Sequence, residues 1–202
     1  NATLIDAGQW MLAPDGDPSL APDVVNNSWS WTSGIDDWYR DIIRNYRAAR
    51  IFPVYSAGND DSGNPQPGSI SNPANYPEAF AVAATDMNDQ RADFSRLGPS
   101  EYDEKMIKPN ISAPGVNIRS SVPGGYEDGW NGTSMAAPHI TGTVALLLSA
   151  DNSLTVDEIE NIIISTAKPL TDDMYPASPN FGYGYGLVDA FDAVASIVPG
   201  TG

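Results

Sequence analysis

The sequence predicts an α/β fold in which a mostly parallel sheet is flanked by helices. Three short apolar runs have the length and composition of buried strands, at residues 23–29, 51–57 and 79–86. Between the first two runs, residues 36–50 place apolar side chains along one helical face. Because a helix between two buried strands is typical of a parallel βαβ unit, we expect both faces of the sheet to be covered.

The other segments in the first part of the chain are assigned from periodicity and turn residues. Residues 4–11 carry apolar positions at helical spacing, and residues 13–22 form a loop rich in proline, glycine and aspartate. In the 36–50 helix, acidic residues come early and arginines late, which matches the helix dipole. A turn-rich loop follows at 58–69, and residues 107–115 are extended and interrupted by prolines.

The last third of the chain predicts three helices. An apolar helix runs over residues 134–150, directly after the polar turn at 132–133. A second helix begins near residue 155, where residues 155–158 fit the capping-box pattern. The glycine-rich run at 181–186 is a turn or hairpin, and Asp189 is expected to cap a last short helix.

Composition narrows the classes of function. The chain has 202 residues, a net charge of −16, no cysteine and a single histidine, His139. Nucleic-acid and anionic membrane partners are disfavoured, because both need clustered lysine and arginine. Thiol catalysis and disulfides are excluded, as is a multi-histidine zinc site. No apolar run could span a membrane, and no signal peptide opens the printed sequence. The acidity is interpreted as the solubilising surface of a secreted or salt-exposed protein.

The turn Gly132-Thr133-Ser134 has the features of a reactive serine site. A serine at a helix N-terminus lies in a positive potential beside free backbone N–H groups, which stabilise an oxyanion. Gly132 has no Cβ, so a substrate backbone can approach closely. These residues alone leave open the alternative of an ordinary N-capping serine.

The longer run around this turn, "NGTSMAAPHITG", resembles the nucleophile segment of the subtilisin-like serine proteases. Further stretches resemble that family in the same order along the chain: "VVNNSW", "YSAGN", "NPANYPEAFAVAATD", "DFSRLGP", "ISAPGVNIRSSVPG" and "GYGLVDA". The resemblance covers nearly the whole chain. It implies a subtilisin-like fold and a secreted endopeptidase that acts on polypeptides.

The resemblance also implies catalytic roles for two residues. Ser134 would be the nucleophile, and Asn59 would donate its side-chain amide to the oxyanion together with the backbone N–H of Ser134. The aspartate and histidine of the family's triad lie in earlier segments that this sequence does not contain. His139 is interpreted as a packed structural residue and not as the base. Residues 1–202 therefore resemble the C-terminal portion of a catalytic domain, and its missing N-terminal part is an expected partner.

Two functions remain open. In the first, the chain is part of a working serine endopeptidase and is inactive when isolated. In the second, it is a non-catalytic relative that keeps the fold to bind peptides. We favour the first because the sequence retains both Asn59 and Ser134, and a binding module needs neither.

A substrate cleft follows from the same resemblance, with the peptide adding as an extended strand beside residues 28–30. The pocket for the substrate side chain would be framed by Ser28, Trp29, Ser30, Ser56, Ala57, Gly58, Ser71, Asn72 and Pro73. The bond between Asn72 and Pro73 matches a position that is often cis in the family. Trp31 stands where the family usually has glycine, and it either turns outward or narrows a subsite.

No cofactor is needed for this chemistry. Structural calcium is common in such folds, and the resemblance allows for it here. One weak candidate site would use the carbonyl oxygens of Ala74, Tyr76 and Ala79. Asn110 stands nearby in place of the usual acid, which weakens that site. The aspartates at 15, 17 and 23 cluster loosely and are interpreted as a solvated loop.

Overall fold

A computed structural model describes residues 2–198. Its main sheet has four strands: β1 (Val24–Asn27), β2 (Phe52–Ser56), β3 (Phe80–Thr85) and β4 (Ile111–Pro114). The strands lie side by side in chain order, and every neighbouring pair is parallel. The α/β architecture with a parallel sheet is therefore confirmed.

Helices cover both faces of this sheet, as the sequence predicts. They are α1 (Ala2–Leu12), α2 (Arg40–Ala48), α3 (Thr133–Ala150), α4 (Val156–Ser165) and α5 (Ala190–Ala195). All of β2 is buried, with Phe52 and Val54 in the core formed with α3. Tyr55 lies in the core formed with α2, because successive side chains of a strand point to opposite faces.

The ends of the helices follow the local sequence closely. α4 has the predicted capping box: the Thr155 hydroxyl accepts a hydrogen bond from the Glu158 N–H, and the Glu158 carboxylate accepts one from the Thr155 N–H. Asp189 caps α5 by accepting from the N–H of Asp192. α2 begins four residues later than predicted, because the backbone of Asp36 is hydrogen-bonded to two tyrosine hydroxyls outside the helix.

An antiparallel hairpin, β5 (Ile118–Val122) and β6 (Gly125–Trp130), is absent from the sequence-based prediction. It is largely exposed, so it has no buried apolar face to mark it. The available signal is the Pro123-Gly124 dipeptide at its turn, where Gly124 has a φ of +91°. The hairpin matters for function because it delivers the chain to Gly132 and the start of α3.

Candidate active site

Three chain segments meet where parallel strands end and α3 begins. Ser28 follows β1, and Asn59 lies three residues beyond β2. Both contact the first turn of α3, which begins at Thr133. The carboxyl ends of parallel strands are the usual place for ligand sites in α/β proteins, and a helix N-terminus adds a positive potential there.

Ser134 is fixed against the end of β1 by a reciprocal pair of hydrogen bonds. Its hydroxyl donates to the carbonyl oxygen of Ser28 over 3.2 Å, and the Ser28 hydroxyl donates to the carbonyl oxygen of Ser134 over 2.9 Å. The second bond is available because Pro138, four residues on, has no N–H to offer that carbonyl. Ser134 is half-buried, so its hydroxyl is positioned without being sealed from solvent.

Asn59 is oriented by Thr133, the neighbour of Ser134. Its side-chain oxygen accepts from the Thr133 N–H over 3.0 Å and from the Thr133 hydroxyl over 2.8 Å. Since both partners donate, the atom facing them must be oxygen, and the amide nitrogen points the other way. Among residues 2–198, that nitrogen has no hydrogen-bond acceptor, and the residue is exposed. The amide is therefore free to donate to a ligand.

Gly132 lies close to the nitrogen atoms of both predicted donors. A Cβ built on Gly132 would lie 3.3 Å from the Asn59 amide nitrogen and 3.6 Å from the backbone nitrogen of Ser134. The φ of +150° also favours glycine. A space between two N–H donors, next to a serine hydroxyl, has the arrangement that stabilises a tetrahedral oxyanion.

His139 lies outside this arrangement and differs from the expectation of a packed residue. The buried positions of α3 that contact the core are Thr133, Ala136, Ala137, Ile140, Thr143, Val144 and Leu147. His139 falls between them on the outer face and is exposed. Its Nδ1 lies 2.9 Å from the carbonyl oxygen of Met135, one turn back. Within the described residues, the Ser134 hydroxyl contacts no histidine or carboxylate that could act as a base.

The residues predicted to frame a substrate pocket are brought together by the fold. The Ala57 carbonyl accepts from the Ser71 N–H, and the Asn72 carbonyl accepts from the Trp31 N–H. Residues 56–58 and 71–73 are buried, Ser28 and Trp29 are half-buried, and Ser30 is exposed. The peptide bond between Asn72 and Pro73 is cis, as it often is in the family. The segments 28–31, 56–58 and 71–73, which are distant in sequence, therefore lie side by side.

Trp31 does not turn outward. Its ring stacks on Trp29 with centroids 5.7 Å apart, and it lies 4.7 Å from the ring of Trp38. Tyr76 packs against it from the neighbouring segment. Trp31, which stands where glycine was expected, thus connects this segment to Trp38, just before α2. The narrowing of a subsite by Trp31 stays a prediction.

A lysine side chain occupies part of the weak cation site. The carbonyl oxygen of Ala79 accepts a hydrogen bond from Nζ of Lys108, which also donates to the side-chain oxygen of Asn110 over 3.0 Å. One of the three carbonyl oxygens is therefore already engaged, and calcium binding there stays a prediction. Within residues 2–198, no cluster of three histidine, cysteine, aspartate or glutamate side chains could hold a metal. In the aspartate loop, the Asp17 carboxylate accepts hydrogen bonds from the N–H and the hydroxyl of Ser19.

Lys108 is fully buried, and burial lowers its pKa from 10.5 to about 7. Between those values the unfolded chain binds a proton that the folded chain does not, so stability rises with pH from about 7 towards 10.5. We expect the free energy of unfolding to increase by up to about 1.4 kcal/mol per pH unit in this range. The Lys108→Met variant should lose this dependence.

Urea unfolding of both proteins at pH 7, 8 and 9 measures the effect. These values stay below about pH 10, where tyrosines begin to lose their protons in the unfolded chain, whereas partial burial raises the pKa of Tyr102 in the folded chain to about 12. Equal slopes of stability against pH in the two proteins would show that Lys108 is not the group responsible.

Comparison with known proteins is consistent with this site. A family model described as the subtilase family matches residues 1–186. The chain is 61% identical over its whole length to bacillopeptidase F of Bacillus subtilis (strain 168), of which it spans 14%. It is 36% identical over 83% of its length to subtilisin DY of Bacillus licheniformis, of which it spans 55%. The chain thus spans about half or less of these two relatives.

A solved structure supports the fold independently. The prenylagaramide maturation protease PagA matches 98% of this chain and 68% of its own chain, with a TM-score of 0.76 and 23% sequence identity. At that identity the match concerns the fold alone. No helix within residues 2–198 combines the length and apolar character needed to cross a membrane.

Proposed function

The chain belongs to the subtilase family, and we propose that it forms the later part of a secreted serine endopeptidase domain that cleaves polypeptides through an acyl-enzyme on Ser134. The observation that carries this proposal is that the Asn59 amide nitrogen and the Ser134 backbone nitrogen lie 3.3 and 3.6 Å from one point, the position of a Cβ built on Gly132. A peptide-binding module would need neither donor.

In this mechanism the Ser134 hydroxyl attacks the carbonyl carbon of the scissile bond while a base takes its proton. The negative charge that develops on the carbonyl oxygen is stabilised by the Asn59 amide and the Ser134 N–H. Collapse of the intermediate releases the amine and leaves an ester on Ser134, which water then hydrolyses. The peptide would add as a strand beside Ser28, Trp29 and Ser30.

The base and its orienting acid would come from a part of the catalytic domain outside the printed sequence. The only histidine, His139, makes its hydrogen bond to Met135 and not to Ser134. Among the described strands, β1 pairs on one side only, with β2, and its other edge is free to accept a further strand. β1 ends next to Ser28, which contacts Ser134. A segment paired with this edge could therefore bring a base to Ser134. No cofactor takes part, and structural calcium elsewhere in the domain remains a prediction.

Hydrolysis of casein tests this proposal. The purified 202-residue chain should hydrolyse casein more slowly than the complete gene product by a factor on the order of 10⁶, the loss that removal of the base causes in subtilisin of the same family. The complete product should be active and blocked by a serine-directed phosphonate. Phosphonate-sensitive cleavage by the 202-residue chain alone would contradict the absence of a base. An inactive complete product would favour the peptide-binding alternative.

A further inference from the structure

Arg96 lies against segments that are predicted to frame the substrate pocket, although the sequence alone predicted no role for it. Its backbone N–H donates to the carbonyl oxygen of Gly58 over 3.1 Å, and its side-chain Nε donates to the carbonyl oxygen of Asn59, also over 3.1 Å. One terminal nitrogen, Nη1, donates to the hydroxyl of Ser71 over 2.9 Å. The arginine thus contacts two of the three segments that are predicted to frame the pocket, and also Asn59, the predicted oxyanion donor.

Gly58 shows how close this packing is. Its φ is +102°, and a Cβ built there would come within 2.1 Å of the Ser71 hydroxyl and 3.1 Å of the Cδ of Arg96. The glycine backbone, the serine and the arginine stem are therefore in direct contact. Ser71 is buried beneath Arg96, whereas Arg96 itself is half-buried and reaches solvent.

Hydrogen bonds hold the guanidinium of Arg96 in place without using all of its N–H groups. Of its five N–H groups, three are directed at Asn59, Ser69 and Ser71 through Nε and Nη1. Nη2 makes no hydrogen bond to residues 2–198. A guanidinium that is held in place by three hydrogen bonds, with one terminal nitrogen free, is suited to bind a carboxylate.

The charge of Arg96 is also not neutralised by an ion pair. No carboxylate oxygen within residues 2–198 lies within 4.0 Å of its nitrogens. The nearby Asp60 carboxylate accepts from the hydroxyl and N–H of Ser62, which lower its pKa, and the charge of Arg96 contributes less to that shift. The chain has 26 acidic and 10 basic residues, so Arg96 is a positive group without an acidic partner on a surface that is acidic overall.

We propose that Arg96 gives the pocket a preference for substrates with an acidic side chain immediately before the cleaved bond. This inference rests on the proposed peptidase function. A glutamate side chain entering between residues 28–30 and 56–58 would meet the positive charge and the free Nη2 of Arg96. A lysine in the same place would be repelled by this charge, whereas an uncharged leucine would be neither attracted nor repelled by it.

The test uses the complete gene product and three peptides that differ only in the residue before the cleaved bond, glutamate, leucine or lysine. The glutamate peptide should exceed the lysine peptide in kcat/KM at least tenfold. Arg96→Gln should lower that ratio at least tenfold, with a larger fall in the cleavage of the glutamate peptide than of the leucine peptide. Arg96→Lys, which keeps the charge, should retain a preference for glutamate. Raising the salt to 1 M should reduce the preference in the unmodified protein.

Arg50→Gln is the matched control, because Arg50 also donates to backbone carbonyls, those of Ser153 and Leu154, but lies away from the pocket. It should leave the ratio unchanged. An unaltered ratio in Arg96→Gln, or an equal fall for all three peptides, would overturn the inference and leave Arg96 a structural role. Failure of the complete product to cleave any of the peptides would overturn the proposed function and, with it, this preference.

Discussion

Replacing Ser134 with alanine in the complete gene product is expected to lower kcat for casein by a factor on the order of 10⁶. The magnitude is carried over from subtilisin, a member of the same family, where loss of the nucleophile has this effect. The physical reason is that no acyl-enzyme can form without the hydroxyl. Initial rates with fluorescent casein, followed over several hours, measure the loss.

Ser149→Ala is the matched control for this change. Ser149 is an exposed serine near the other end of α3, and its hydroxyl donates to the carbonyl oxygen of Ala145 within the same helix. That variant should retain kcat within a factor of about two. A Ser134→Ala protein with more than a thousandth of the original activity would mean that another residue is the nucleophile.

Asn59→Asp is expected to lower kcat by about 10²–10³ or more, with little change in KM. The range is the one known for the corresponding donor in subtilisin, a member of the same family. Aspartate keeps the oxygen that accepts from the N–H and hydroxyl of Thr133, so the start of α3 stays fixed. It removes the amide donor and places a negative charge beside the developing oxyanion. Steady-state kinetics with a chromogenic peptide separate kcat from KM.

Asp60→Asn provides the control for the change in charge. Asp60 is the next residue, and its carboxylate accepts hydrogen bonds from Ser62 at the surface and not from α3. Its replacement should leave kcat within a factor of about three. If Asn59→Asp raised KM and left kcat unchanged, Asn59 would bind substrate in the ground state and would not stabilise the transition state.

Local patterns were sufficient to predict most of the fold. β2 and β3 are buried throughout and mostly apolar because both faces of the sheet are covered, and α2 shows its buried face at Ile42, Ile43 and Tyr46. The α4 capping box could be identified from four residues. These features depend on neighbours in sequence, so periodicity is enough to find them. The β5–β6 hairpin is stabilised by strand pairing with little burial, which leaves no such pattern.

The site depends on contacts between distant residues, which local patterns do not contain. Asn59 and Thr133 are 74 residues apart, and only the resemblance to a known family placed them together. The exposure of His139 depends on which face of α3 packs against the sheet. Lys108 and Arg96 lie in segments without periodicity, so neither the buried ammonium nor the arginine at the pocket could be predicted from the sequence.

A crystal structure of the complete gene product after reaction with a peptidyl phosphonate tests the central claim most directly. The account predicts phosphorus bonded to the hydroxyl oxygen of Ser134. It also predicts one phosphonyl oxygen at about 2.7–3.1 Å from both the Asn59 amide nitrogen and the Ser134 backbone nitrogen. An adduct on a different serine, or an Asn59 amide directed away from the phosphonyl oxygen, would contradict it.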